Sequence, residues 1–400
     1  MEERNKSVIV CIERLKAVGN GVFDIVFDFA NHQQMLNYIA QMEMQNEMTA
    51  TMLELKNYRP KGRLRGGGYY QLNTMALQMC QNHFNRIKFS YLFYGSYDLS
   101  SFNDDNMPDL LESHRMIDKE VYDDTSNKTY QKLPQNLFAN IGNDALHVKV
   151  RDVGEANWNE LLIGDRIAVL YDIGAPSYDN VTQVRAKLNG RNQAILDSKP
   201  VLILSHWDMD HIHCLKAMTV DDMSKSFSAV VCVDKIRPLT SQTIYDNLVD
   251  ALSERVYCLP MIPKTGHSAG VSHIISQGVI SLYQGENSSN KNYSGIQMIV
   301  KGAAKTCHFT GDCRLSQADD AYQTELQLGG MPNDNILIAP HHGAYLDPAF
   351  RTYSKHCVDV VVSVGSSGYG HPNPTMETYL QGLCSSYWRT DQRGEYNSGL

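Results

Sequence analysis

An apolar run, Val201–Ser205, passes without a spacer into His206-Trp207-Asp208-Met209-Asp210-His211, and a helix-like stretch, Ile212–Met218, follows at once. Four side chains of the kind that ligate metals, His206, Asp208, Asp210 and His211, therefore crowd the C-terminal end of a strand, the edge where α/β sheets place their ligand crevices. A solvated loop that is rich in His and Asp is the bland alternative. The tight spacing and the position directly after an apolar strand argue against it.

Three further islands have the same placement. Thr310-Gly311-Asp312 follows a hairpin-like segment over 296–309, His341-His342-Gly343 follows the apolar run at 335–340, and Gly370-His371-Pro372 follows the run at 359–365. Each delivers a ligand-type residue to a strand end, so one crevice can collect them all.

From Leu146 onward, short β-branched runs alternate with helical patterns such as Ser241–Val256 and Thr375–Ser385, which predicts an α/β domain over 146–400. Residues 1–145 read differently. Met- and Gln-rich segments at about Asn31–Leu55 and Tyr70–Ile87 predict a mainly helical accessory domain, and the polar stretch Asp118–Asn143 reads as an irregular linker. The methionines Met35, Met42, Met44, Met48 and Met52 read as core or as a partner-protein interface.

Composition narrows the partners. At a net charge of −8 the chain has no global positive field for a polyanion, so any nucleic-acid contact has to be local. The one cationic cluster with interleaved aromatics, Arg59, Lys61, Arg63 and Arg65 between Tyr58 and Tyr69-Tyr70, is the candidate grip for phosphates, against the plainer reading of a solvated loop. Nine cysteines without a CxxC pair read as reduced thiols, and no run approaches the roughly 18 apolar residues of a membrane span, so the expectation is a cytoplasmic protein with no membrane contact.

The ordered pattern HxDxDH, TGD, HHG and GHP resembles the metallo-β-lactamase fold, and within it the soluble hydrolase domain of ComEC-type DNA-uptake proteins. Asp152-Val153-Gly154 with Asn157, Asp172-Ile173-Gly174, and Arg389-Thr390-Asp391 with Gly394 are similar to that family's opening and closing segments. The resemblance spans about 146–395. It implies an αββα sandwich holding two divalent ions, zinc or manganese. His206 and Asp208 would serve one ion, Asp210 and His211 the other, and Asp312 would bridge them, with His341 or His342 and His371 completing the open face. Asp172, with Asp152 of the opening segment, would stand behind the ligands, where a carboxylate fixes an imidazole tautomer.

Two departures qualify the ligand set. The commoner pattern has His at position 208 and a further downstream His, for which His267 and His273 are the candidates here; an Asp at 208 favours the harder Mn²⁺. His213-Cys214 stands where the relatives carry Gly-Gly, which adds bulk beside the site.

The chemistry suits those residue types. A bridging carboxylate holds two cations about 3.5–4 Å apart, bound water loses its proton near neutral pH, and Asp210 or a nearby His manages that proton. No GxSxG and no Cys–His pair offers a protein nucleophile. The resemblance thus implies a binuclear metal-dependent phosphodiesterase or nuclease acting on nucleic acid or a nucleotide. The alternatives are a small-molecule hydrolase of the same fold, for a lactone, thioester or cyclic nucleotide, and a scaffold that binds a protein partner through residues 1–145.

Overall fold

The computed structural model describes residues 7–42, 52–80, 84–85, 93–102, 106–113, 132–142, 145–236, 238–266, 270–288, 290–329, 334–344, 357–365 and 370–400. The chain divides into two compact units. The first comprises Met1–Lys128 with Asn180–Thr182 and Ile236–Tyr245; the second comprises Thr129–Asp179, Gln183–Lys235 and Asp246–Leu400.

The first unit is built on a sheet, which overturns the expectation of a mainly helical domain. Its strands are β1 (Ser7–Gly19), β2 (Val22–Phe29), β3 (Met52–Tyr58), β4 (Tyr69–Asn73), β5 (Phe84–Asn85), β6 (Phe93–Asp98) and β7 (Leu111–Ser113). They are ordered β5-β6-β3-β2-β1-β4-β7. The β1–β2 hairpin turns at Asn20 (φ 49°) and Gly21 (φ 74°), the left-handed pair that suits a tight hairpin and that Asn and Gly adopt most readily. Of the two expected helices, the first is present among the described residues as His32–Gln41, capped by Asn31 and burying Met35, Tyr38 and Ile39, with Met52–Leu55 in β3. The second is replaced by β4 and a short helix, Thr74–Met79. Val10 of β1 registers with Tyr70, and Tyr70 and Leu72 both point into the core. Sheet pairing here outweighs the helix propensity of Met and Gln, which is a weak prior. Met35, Met42 and Met52 are core residues, whereas Met44 and Met48 lie outside the described residues, as does most of the expected linker.

The second unit is mixed α/β with two seven-stranded sheets. The first sheet contains β8 (Leu146–Val150), β9 (Trp158–Ile163), β10 (Arg166–Ile173), β11 (Val201–Ile203), β12 (Ala229–Val233) and β13 (Val256–Leu259). The second runs in order through β14 (Val271–Gln277), β15 (Ile280–Gly285), β16 (Ile296–Lys301), β17 (Lys305–Phe309), β18 (Asp334–Ile338), β19 (Cys357–Val362) and β20 (Cys384–Arg389). The last strand, β21 (Tyr396–Gly399), returns to the first sheet and pairs antiparallel with β8.

Each sheet is antiparallel in one half and parallel in the other. β10 to β13 are parallel, as are β17 to β20. The helices Met209–Lys216, Leu315–Leu328 and Pro374–Leu383 lie in the crossovers that parallel pairing requires. The parallel strands β11, β12 and most of β18 and β19 are buried along their length, which accounts for their continuous apolar sequences. The two sheets meet through Tyr171 of β10, whose ring lies 5.4 Å from that of Phe309 and whose hydroxyl donates to the Ile296 carbonyl at 2.6 Å. All nine cysteines are free thiols, eight of them buried.

Within the second sheet, His308 is buried and its Nε2 lies 3.0 Å from Gln297 Oε1. Burial pushes its imidazole down to about 3, so the folded protein holds it neutral while the unfolded chain protonates it near its ordinary value of 6.5. The unfolded state then binds more protons below pH 6.5, and the stability contributed by neutral His308 is lost as pH falls from there towards 3. We expect His308→Gln to remove on the order of 2–3 kcal/mol of the loss in unfolding free energy between pH 7 and pH 4.5. Urea melts of both proteins at the two pH values measure this, and equal acid losses would show that His308 is not the group responsible.

Candidate metal centre

Three-residue β11 carries the chain into an extended segment, 204–208, from which the helix Met209–Lys216 starts directly. Trp207 anchors the segment by donating Nε1–H to the Val233 carbonyl at 2.8 Å. His206 and Asp208 thus lie on the extended segment, while Asp210 and His211 lie in the first turn of the helix. Asp312 arrives from the turn after β17, and His341 and His342 arrive from the turn after β18. The expectation that strand ends deliver the ligand-type residues describes this arrangement.

Asp172, at the end of β10, is fully buried with a left-handed φ of 61°. Asp tolerates that conformation better than most residues, and here hydrogen bonds hold it. Its Oδ1 accepts from the Ser205 backbone N–H at 2.7 Å and its Oδ2 from the Ser205 hydroxyl at 2.8 Å. Oδ2 also lies 2.8 Å from His211 Nδ1. With Nδ1–H donating to Asp172, the Nε2 lone pair of His211 faces Asp312 Oδ1 at 3.1 Å. His342 is fixed in the same manner: its Nδ1 lies 2.6 Å from the Ser363 carbonyl oxygen, which leaves Nε2 3.1 Å from Asp210 Oδ2.

Electrostatics follow from this crowding. Burial opposes charge on His211, yet Asp312, Asp172 and Asp210 together hold its pKa well above the ordinary value. Burial likewise opposes charge on His342, which the Asp210 hydrogen bond and the Asp312 charge carry up to about 9. Asp312 is held well below the ordinary carboxylate range by His341 and His211 despite its burial. The site is one in which buried carboxylates demand positive charge.

His206 Nε2, His211 Nε2 and Asp312 Oδ1 are all buried without a hydrogen-bond partner. Orphaned lone pairs that converge on one another fit a divalent cation. Among the described residues, two groups have ligand atoms within 4.8 Å of one another: His206, His211 and Asp312, and Asp210, His211 and His342. His342 rather than His341 falls in a group; His341 is 27% exposed at the rim, its Nε2 3.4 Å from Asp312 Oδ2.

The expected partition of ligands therefore changes. His206 is grouped with His211 and Asp312, whereas Asp208 belongs to neither group. It forms an ion pair with Lys291 at 2.5 Å, and Lys291 with His206 holds its pKa below the ordinary range against burial. His371 also lies outside both groups, its ring 5.7 Å from that of His341. The charged neighbours of Asp152 are Glu395, Asp391 and Lys187 rather than a ligand imidazole. His267 lies outside the described residues, and His273 is exposed on β14 with Nε2 2.8 Å from Ser276 Oγ. His213 belongs to neither ligand group, and its Nδ1 lies 2.9 Å from the Pro176 carbonyl.

Three contributors escape sequence reasoning. Ser205, Lys291 and Asn292 all carry side chains common in solvated loops, and nothing in their spacing marks them. Asn292 donates Nδ2–H to Asp312 Oδ2 at 3.3 Å from the short turn Lys291–Ser294.

The basic cluster lies in the first unit, in the loop between β3 and β4. Lys61, Arg63 and Arg65 are exposed and Arg59 is half-buried. The loop is stitched down by Gly67 N–H to the Ile12 carbonyl (2.7 Å) and Arg65 N–H to the Tyr70 hydroxyl (2.9 Å), and Lys61 lies 3.4 Å from Asp109.

No protein-family model matches the chain, and no curated protein matches it. Solved structures do. Tm1679, described as a metal-dependent hydrolase of the beta-lactamase superfamily, aligns over 64% of this chain and 99% of its own at 10% identity and a TM-score of 0.37. Zn(2+)-bound PqqB from Methylobacterium extorquens aligns over 64% of this chain and 100% of its own, at 10% identity and a TM-score of 0.37. CmlA, a diiron β-hydroxylase from Streptomyces venezuelae, aligns over 64% of this chain and 54% of its own, at 13% identity and a TM-score of 0.35.

Proposed function

We propose that the chain is a metal-dependent hydrolase that cleaves phosphodiesters, with nucleic acid as the substrate class. The observation that carries the metal half of this reading is the facing pair His211 Nε2 and Asp312 Oδ1, buried and without donors 3.1 Å apart. The substrate half rests on the ordered resemblance to the ComEC-type hydrolase domain and on the exposed basic residues of the β3–β4 loop.

When bound, a zinc or manganese ion in this centre supplies Lewis acidity and lowers the pKa of water. The chain's own residues do the positioning. Asp172 locks the His211 tautomer through Nδ1, and the Ser205 hydroxyl, 3.0 Å from His206 Nδ1 as well, ties the two imidazoles to that one carboxylate. Asp210 is held ionised beside His211 and His342, so its carboxylate can accept a hydrogen bond from attacking water and orient it. His341, partly exposed beside Asp312, is the imidazole that an incoming phosphate would meet in this reading.

The test is turnover of DNA, RNA and bis-p-nitrophenyl phosphate by the protein reconstituted with Mn²⁺, Zn²⁺ or Mg²⁺. Hydrolysis confined to lactone or thioester substrates would replace this reading with the small-molecule one. Changing Arg59, Lys61, Arg63 and Arg65 together to Ser is expected to weaken nucleic-acid binding and to flatten its salt dependence by roughly 0.7–0.9 in slope for each phosphate no longer neutralised. Turnover of the small chromogenic diester stays unchanged in that variant. Equal loss on both substrates would assign the loop to folding, and no loss on either would return it to solvent.

A further inference from the structure

We propose that the centre holds one divalent ion, and that the ammonium of Lys291, seated on Asp208, takes the place of the second; the inference rests on the metal-dependent reading above. Three observations carry it. The first concerns His211. Both ligand groups contain it, and its Nδ1 is committed to Asp172, so a single Nε2 lone pair remains. One lone pair serves one ion, and the two groups are therefore alternative completions of a single site.

Asp312 supplies the second observation. Of its two oxygens, Oδ2 accepts from Asn292 Nδ2 at 3.3 Å, while Oδ1 is orphaned opposite His211, so the unpartnered oxygen of Asp312 faces the one lone pair that His211 offers to an ion. The third is Asp208, whose Oδ1 is 2.5 Å from Lys291 Nζ, an ion pair held by charge and proximity and not by an aligned hydrogen bond. An ion on the other oxygen, which faces His206 Nε2 at 3.5 Å, would sit a few ångströms from the Lys291 ammonium, and in this partly buried setting like charges repel more than they do in bulk water.

Lys291 and Asn292 share one short turn that is tied down on both sides. Asn290 Oδ1 accepts from the Asn292 backbone N–H at 3.1 Å, and Gln317 Nε2 donates to the Tyr293 carbonyl at 2.8 Å. The guanidinium of Arg314 lies 4.2 Å from the centre of the Tyr293 ring. A neutral imidazole at position 208 would bring no charge; the Asp208–Lys291 pair likewise sums to none. The carboxylate at 208 therefore does not harden the site towards Mn²⁺ as its residue type alone suggests.

Stoichiometry tests this directly. Apo-protein is titrated with Mn²⁺ and with Zn²⁺ by calorimetry, and bound metal is counted by mass spectrometry after gel filtration. The expected result is one ion per chain in the wild type, one in Lys291→Arg and one in Asp208→Asn, but two in Lys291→Met, where Asp208 is released. Two ions in the wild type, or one still in a folded Lys291→Met protein, overturns the proposal. Should Lys291→Met not fold, Asp208→Asn decides: a fall in stoichiometry there makes Asp208 a ligand and overturns it too. A wild type that binds no metal at all sinks the metal-dependent reading itself, an outcome distinct from two ions.

Discussion

Asp312→Asn is expected to lower turnover by about 10³-fold and to strip the centre of its metal, because the amide keeps the shape of the side chain and removes its charge. Loss of one such charge removes about 4 kcal/mol of transition-state stabilisation, and each 1.4 kcal/mol is roughly tenfold in rate. The position leaves little room for compensation. Asp312 lies 3.1 Å from His211 Nε2, 3.4 Å from His341 Nε2 and 3.8 Å from His206 Nε2, so three imidazoles depend on one carboxylate. An Asn would also set its own amide against Asn292, which now donates to Oδ2. Metal content and turnover of the purified variant are the measurements, with near-normal values in both removing Asp312 from the centre.

Gly174→Ala should be the most damaging change outside the ligands. A Cβ at Gly174 would lie 1.8 Å from the Asp210 carbonyl oxygen and 2.7 Å from that of Asn157, and both obstacles are backbone. The same stretch is hydrogen-bonded through Gly174 N–H to the Asn157 carbonyl (2.7 Å) and Asn157 N–H to the Asp210 carbonyl (2.9 Å). Relief requires the start of the helix Met209–Lys216 to move, and Asp210 and His211 move with it. We expect a loss of about 3 kcal/mol in unfolding free energy, at the upper end for overpacking, together with weakened metal binding. A urea midpoint and a metal affinity both close to wild type would mean that the loop yields without disturbing the helix.

The candidate centre is legible in the sequence because its ligand-type residues are concentrated at strand ends. His206, Asp210, His211, Asp312 and His342 stand within a few residues of apolar runs that could only be buried strands. Asp172 was legible only through resemblance, since a carboxylate at the end of a strand has no local signature. Lys291 and Asn292 were not legible at all, because their role depends on a turn in one sheet meeting the segment that leaves another. In the first unit the error had a definite cause. Residues 52–58 and 69–73 contain good helix formers, and what makes them strands is pairing with β2 and β1, a long-range fact.

The β8–β21 pairing joins strands far apart in the chain. Tyr396 to Gly399 register with Val150 to His147, and the Leu400 N–H closes on the Leu146 carbonyl, so the outermost ladder of the first sheet joins the beginning and the end of the second unit. During synthesis, every other strand of that sheet leaves the ribosome before its edge partner does. Until then β8, whose residues alternate between buried and half-buried, is an open edge of the kind that recruits foreign strands. When β21 pairs, the open edge passes from the five residues of β8 to the four of β21, a shorter template for a foreign strand.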